Sequence, residues 1–264
     1  MSLNKAMIIG NLGRDPEQRS TSSGMAVTEF SVAVNSRRKN EDHTEWFNVK
    51  LFDKQAENAA TFLRKGRKVY VELSNELWNW AYSQTHDYNG DFYNRVAPRL
   101  RQISDIFHEE FADDRSRVEI VLAGQAVWDV HLAQGLQYFV DNGLNPSDYI
   151  DAVAIAPYFG LASNQTTETA DQILDRLADL DGQRWMMRQN ERIADYYGLK
   201  MYAYEGGPHI ESWQFASQDV FWEVQNSPRM GQILRDYVQA WQEVGGGLFA
   251  EFAFTGGSWG LLDS

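Results

Sequence analysis

Cysteine is absent from this 264-residue sequence, which excludes disulfides, thiolate metal sites and cysteine nucleophiles and is compatible with a reducing cytoplasm. Any catalysis must run on oxygen and nitrogen groups. No stretch approaches the ~20 consecutive apolar residues of a membrane helix. The start, MSLNKAMIIGNLGRD, lacks a signal peptide's longer apolar core and small-residue cleavage site. The expectation is a soluble cytoplasmic chain with no membrane contact. Neither GxxxxGK(S/T) nor GxGxxG occurs, and Gly206-Gly207 is too short to cradle phosphate. His86 and His209 are isolated, with no metal-ligand spacing around them, so neither a metal nor a cofactor is expected. Fixed-period repeats and low-complexity linkers are also missing.

What is present is enough apolar sequence, 43% of residues, to bury a sizeable core. The net charge of -13 is unevenly spread. Residues 1–72 carry 12 Lys+Arg against 9 Asp+Glu, a balance of +3, and the remaining 192 residues carry -16. Of nine Trp, only Trp46 lies before residue 73. Two compositions in one chain suggest two origins. The acidic part is a poor platform for nucleic acid, whereas the slightly basic part could be one.

In the first part, patterning predicts a strand over Lys5–Leu12, a turn-rich stretch over Gly13–Gly24 and a strand over Met25–Asn35. A polar loop over Ser36–Thr44, a strand over Glu45–Phe52, a helix over Lys54–Leu63 and a strand from Lys68 follow. Short strands with one late helix suggest a small β-barrel. Over Glu45–Phe52 the two-residue period puts Phe47, Val49 and Leu51 on a core face and Trp46, Asn48, Lys50 and Phe52 on the other. Two aromatics interleaved with a lysine suit unpaired bases, because rings stack and the cation holds phosphate. Alternation alone also allows a second packing layer there. Arg37, Arg38 and Lys39, with Arg64, Lys65, Arg67 and Lys68, are further cations that serve equally as solubilising charge or helix-dipole partners.

The run NKAMIIGNLGRDPEQRSTSSGMAVTEFSVAVN, then TEWFNVKLFDKQAE and FLRKGRKVYVE, resembles the N-terminal part of bacterial single-stranded DNA-binding protein. The resemblance covers about 72 residues. It implies an oligonucleotide-binding (OB) fold, homo-oligomers and single-stranded DNA as partner. Trp46 and Phe52 would be the stacking residues, with Arg14, Arg37, Lys50 and Lys54 as phosphate contacts. After Glu72 the sequence departs from that family: its long hairpin, fifth strand and acidic C-terminal tip do not appear.

Further along, strand-like runs recur at Val69–Leu73, Val118–Leu122, Ala152–Ala156, Lys200–Tyr204 and Leu248–Phe254. Helical patterns lie between them at Arg95–Phe111, Trp128–Asn142, Ala170–Tyr197 and Val220–Val244. Such alternation predicts parallel βα units, whose reactive groups sit just past the strand C-termini. Two strands end in this way on a carboxylate, Glu76 and Glu205. A carboxylate pair is what glycosidic cleavage uses, one acid protonating the leaving oxygen and the other attacking or activating water. Trp78, Trp80, Tyr158, Trp213 and Trp259 follow strand ends and could floor a sugar site. The competing reading makes Glu76 a helix cap and the tryptophans core.

VYVELSNELWNW, AVAIAPYFG, KMYAYEGG and FTGGSWGLL resemble, in order, the later half of retaining glycoside hydrolases of the large (β/α)8 clan. The resemblance covers residues 69–264 and implies Glu76 as acid/base and Glu205 as nucleophile. It makes Asn75 a partner of the sugar 2-hydroxyl, Tyr158 the residue orienting the nucleophile, and Trp259 a support for the sugar of an oligo- or polysaccharide. Five strands are present where the barrel has eight. The expected architecture is therefore mixed: a partial OB-type β-barrel over 1–72, then an incomplete (β/α)8 TIM-type barrel over 73–264, strands four to eight. Both resemblances run through Lys68–Glu72, so one strand is claimed twice, as at a crossover between two truncated proteins. The expected function is a retaining O-glycosyl hydrolase-like module, impaired by the missing half-barrel, behind a single-stranded DNA-binding segment. The alternative is a single-stranded DNA-binding protein whose C-terminal segment is not catalytic.

Overall fold

The computed structural model describes residues 11–21, 24–38, 41–63, 68–74, 76–161, 166–250, 253–255 and 260–262. Residues 5–10 of the first expected strand, with Asn75 and Trp259, lie outside them. The chain divides into two units, residues 1–70 with 105–119, and residues 71–104 with 120–264.

In the first unit an antiparallel sheet is built around β3 (Ala26–Arg38), with β1 (Asn11–Leu12), β2 (Glu17–Ser20) and β4 (Glu41–Phe52) all paired to it. The β3–β4 register runs from Val27 opposite Phe52 to Arg38 opposite Glu41. Directly opposed residues share a face, so Thr28 and Phe30 lie with Leu51 and Val49, while Glu29 and Ala33 lie with Lys50 and Trp46. Helix α1 (Asp53–Phe62) covers the first face. There the fully buried Thr28 donates its hydroxyl to the Ala56 carbonyl at 2.6 Å, satisfying a polar group that burial would otherwise penalise.

The polar loop expected over Ser36–Thr44 is corrected: β3 and β4 extend through most of it, leaving only residues 39–40 between them. Polar composition suggested a loop, but the register sets Arg37 against Asp42 and Arg38 against Glu41. Likewise β2 forms inside the stretch expected to be turns, paired from Glu17–Glu29 to Ser20–Ala26.

Downstream come β5 (Val69–Val71), α2 (Ser83–Tyr88), a single π-helical turn at Phe92–Val96 and α3 (Ala97–Glu110). β6 (Val118–Ala123), α4 (Val130–Asp141), β7 (Ala152–Ile155), β8 (Phe159–Gly160), α5 (Ala170–Leu177) and α6 (Asp181–Tyr196) follow. The last elements are β9 (Lys200–Ala203), β10 (Pro208–His209), α7 (Gln218–Gln225), α8 (Pro228–Glu243), β11 (Ala253–Thr255) and β12 (Gly260–Leu262). One sheet has the order β5-β6-β7-β9, and its β6–β7 and β7–β9 pairs are parallel. The Ala152–Ile155 strand is buried throughout, as expected for a strand packed on both faces. Residues 247–250 continue the array beside β9, through Gly247 N–H to Met201 O at 2.8 Å and Ala203 N–H to Leu248 O at 2.8 Å. Among the described residues this is an open parallel sheet in mixed α/β structure, not a closed barrel.

Two long helical patterns are each divided. Thr169 caps α5 through a capping box with Gln172, and a new helix begins at Asp181. Ser227 caps α8 with Pro228 in its first turn, where proline's missing N–H costs nothing. The expected strand over Leu248–Phe254 is likewise split, its first residues bonding to β9 and Ala253–Thr255 pairing with β12.

Candidate nucleic-acid interface and candidate active site

Along β4, Trp46 is 59% and Phe52 51% exposed, on the face opposite α1. Beneath them on the same face, Ala33 and Val27 are buried. Gly13 donates its N–H to Ser31 O at 3.0 Å and lies so close to the Trp46 ring that a Cβ there would overlap it. The rings therefore have one side open among the described residues. Phe47, on the expected core face, is 36% exposed, because that face is only partly covered at its end.

The cations are less free than their spacing suggests. Glu29, in the middle of this face, is ion-paired with both Lys50 and Arg19. The Lys50 hydrogen bond foremost, then the Arg19 charge, holds the Glu29 carboxyl below its ordinary range. Arg14 pairs with Glu17 at 3.1 Å and Lys54 sits 3.9 Å from Glu57, both on the surface. Arg37 lies in β3 opposite Asp42, and its side chain is outside the described set. Glu29→Gln should release Lys50 and Arg19 to phosphate. Titration of oligo-dT at several salt concentrations should then show affinity about two- to five-fold higher and a salt slope steeper by roughly 0.7 per freed cation. An unchanged slope would mean that neither cation reaches the strand.

In the second unit, Glu76, Trp78 and Tyr158 line a cleft of about 550 Å³, together with Asn79, Gln125 and His209 among others. Glu76 opens the turn after β5 with φ 46°, a left-handed conformation uncommon outside glycine. Its carboxylate accepts from Asn79 Nδ2 at 2.7 Å, and its carbonyl from Thr85 Oγ1 at 3.1 Å. Glu205, following β9, neighbours the Tyr158 side chain and the Glu76 carboxyl. Burial first, then the neighbouring Glu76 charge, raises its pKa, while the Tyr158 hydrogen bond opposes the rise. Tyr158 is held from behind, since Tyr237 on α8 donates its hydroxyl to the adjacent Pro157 carbonyl.

Several groups at this rim were not singled out by sequence reasoning. Glu72 is a third carboxylate, raised by burial. The Tyr204 hydroxyl is buried without a hydrogen-bond partner among the described residues, and burial with the charges of Glu76, Glu205 and Glu72 pushes its ionisation far upward. Its ring is 6.1 Å from Trp78. His131 on α4 stacks on Phe92 at 4.6 Å and lies 6.3 Å from each of Trp78 and Trp128. Burial lowers the His131 pKa and favours the neutral ring. The usable sequence signal was positional: Glu72 and Tyr204 directly flank the β5 and β9 ends, and Asn79 is three residues past Glu76. Trp80 and Trp213 are more than half exposed, and only Trp80 borders the cleft. Among the described residues no group of three or more His, Asp and Glu is placed to hold a metal ion.

An antiparallel sheet packed on one helix, with aromatic and cationic residues on its outer face, has the features of an OB-type fold. Residues 3–87 match the Single-strand binding protein family, and the N-terminal segment is a region of that family. It is 47% identical over 75 residues to the single-stranded DNA-binding protein of Xanthomonas campestris pv. campestris, covering 26% of this chain and 44% of that one. Identity to single-stranded DNA-binding protein 1 of Chlorobaculum tepidum is 38% over 90 residues, 32% of this chain and 56% of the relative. Identity to the single-stranded DNA-binding protein of Neisseria meningitidis serogroup B is 48% over 77 residues, 27% and 44%. The chain spans about half the length of these relatives. The acidic body after residue 87 lies outside the family match.

Proposed function

We propose that this protein binds single-stranded DNA on the open face of its N-terminal sheet. Trp46 and Phe52 stack bases, and Lys50, Arg14, Arg37 and Lys54 contact phosphates. The observation that carries this reading is two large aromatics, half or more exposed, six residues apart on one strand of a region of the single-strand binding family. Bases offer π-faces that such rings recognise without regard to sequence. Titration with a dT oligonucleotide and with duplex of equal length tests it. Salt-dependent binding of the single strand, with the duplex much weaker, is expected; equal affinity for both would remove base stacking from the account.

A second reading is favoured by the contact between Glu76 and Glu205. Two half-buried carboxyls side by side past strand ends are the kind of pair that two-carboxylate glycoside hydrolysis uses. The body would then be the later part of a (β/α)8 hydrolase, joined to the upstream region at a seam near residue 72, so that Glu76 and Trp78 fall within the last part of the 3–87 family match. Glu76 would act as acid/base, Glu205 as nucleophile, Asn75 and Trp259 as sugar contacts. Retaining enzymes keep the two carboxyls about 5–5.5 Å apart, with the sugar between them. Release of nitrophenol from a panel of aryl glycosides tests the reading, and no release from any of them removes it.

A further inference from the structure

We propose that Trp128 is an outer sugar subsite of the carboxylate cleft, making its ligand a neutral oligosaccharide chain rather than a single glycosyl unit. This rests on the second reading above. The wall of the cleft runs through Gln125, Ala126 and Val127, and Trp128 is the next residue, 59% exposed in the turn before α4. A Trp128 N–H to Gln125 O bond of 3.1 Å fixes that turn. His131 ties the ring to the site. Its imidazole lies 6.3 Å from Trp128 at 22° and 6.3 Å from Trp78, the aromatic bordering Glu76, at 31°, while Phe92 stacks on it at 4.6 Å. Trp78, His131 and Trp128 form one series of neighbouring rings that begins at the cleft lining and leaves it at Trp128. Its two tryptophans are separated by no more than a short oligosaccharide can span.

Charge selects the kind of chain. Glu76 borders the cleft, with Glu205 and Glu72 close to it, and among the described residues no Lys or Arg is in the lining. Phosphorylated or uronic polymers would meet uncompensated negative charge, whereas neutral pyranoses offer apolar C–H faces to indole rings and hydroxyls to carboxylates. Trp128 is mostly exposed, so its removal should leave the fold intact, which near-ultraviolet circular dichroism would verify.

The test compares the full chain with Trp128→Ala, Trp128→Phe and Trp78→Ala in calorimetric titrations with cellohexaose, mannohexaose and xylohexaose, each beside its disaccharide. Expected is a loss of about tenfold in affinity for a bound hexaose in Trp128→Ala, little change for its disaccharide, and recovery in Trp128→Phe. Hexaose binding that survives Trp128→Ala but falls in Trp78→Ala would overturn the outer subsite and leave the carboxylate reading standing. Failure of every saccharide to bind, with no aryl glycoside cleaved, would overturn both. If oligo-dT binds a Trp46→Ala, Phe52→Ala chain and loses that binding on Trp128→Ala, the platform serves bases and the proposal fails.

Discussion

Replacing Trp46 and Phe52 together by alanine is expected to weaken oligo-dT binding by roughly 30-fold to 10⁴-fold, since each stacked base contributes about 1–3 kcal/mol. Both rings are half or more exposed, so little core is lost and the melting temperature should barely move. The loss should appear at every salt concentration with nearly the same slope, because stacking releases no counterions while cations remain. Gly13 supplies an internal control. Alanine there would crowd the Trp46 ring without removing it, so Gly13→Ala should fall between the wild type and the Trp46 single variant in fluorescence-anisotropy titrations. If the double variant binds as tightly as the wild type, bases are read elsewhere.

Glu205→Gln should abolish any glycoside cleavage while making the protein more stable at neutral pH. Burial and the Glu76 charge raise the folded-state pKa of Glu205 above its ordinary 4.5. Such a group contributes stability that is fully present below about pH 4.5 and lost as pH rises through the raised value. Glutamine cannot ionise, keeps a partner for Tyr158 and removes that loss. At pH 7 the melting temperature should rise by about 2 °C or more; at pH 4 the two proteins should coincide. Thermal unfolding across that range by circular dichroism checks it. A variant less stable at pH 7 would mean that ionised Glu205 is favourably paired. That would contradict a strained carboxylate pair kept for chemistry.

The exposed aromatic face of β4 was legible in the sequence because it depends on one strand and a period of two: Trp46, Lys50 and Phe52 alternate with Phe47, Val49 and Leu51 wherever β4 sits. The hairpin tip was not, because the polar run Arg37, Arg38, Glu41 and Asp42 reads as loop until the backbone register extends both strands through it. The Glu29 clamp on Lys50 and Arg19 joins three strands, and no local pattern reports it. In the second unit, Glu76, Glu205 and Tyr158 could be found because parallel βα architecture places strand C-termini together. Glu72, Tyr204, His131 and Trp128 needed tertiary packing. Trp128 looked like the start of a helix until its ring was seen beside His131. Helix breaks at residues 178–180 and 226–227 escaped a hydrophobic pattern that continues in phase across them.

The most direct measurement of the central claim is photocrosslinking of an iodouracil-substituted dT oligonucleotide to the full chain, followed by peptide mapping. Adducts on Trp46 or Phe52, suppressed by rising salt, are the predicted result. Adducts confined to residues after 87, or none under conditions where the strand is bound, would contradict it.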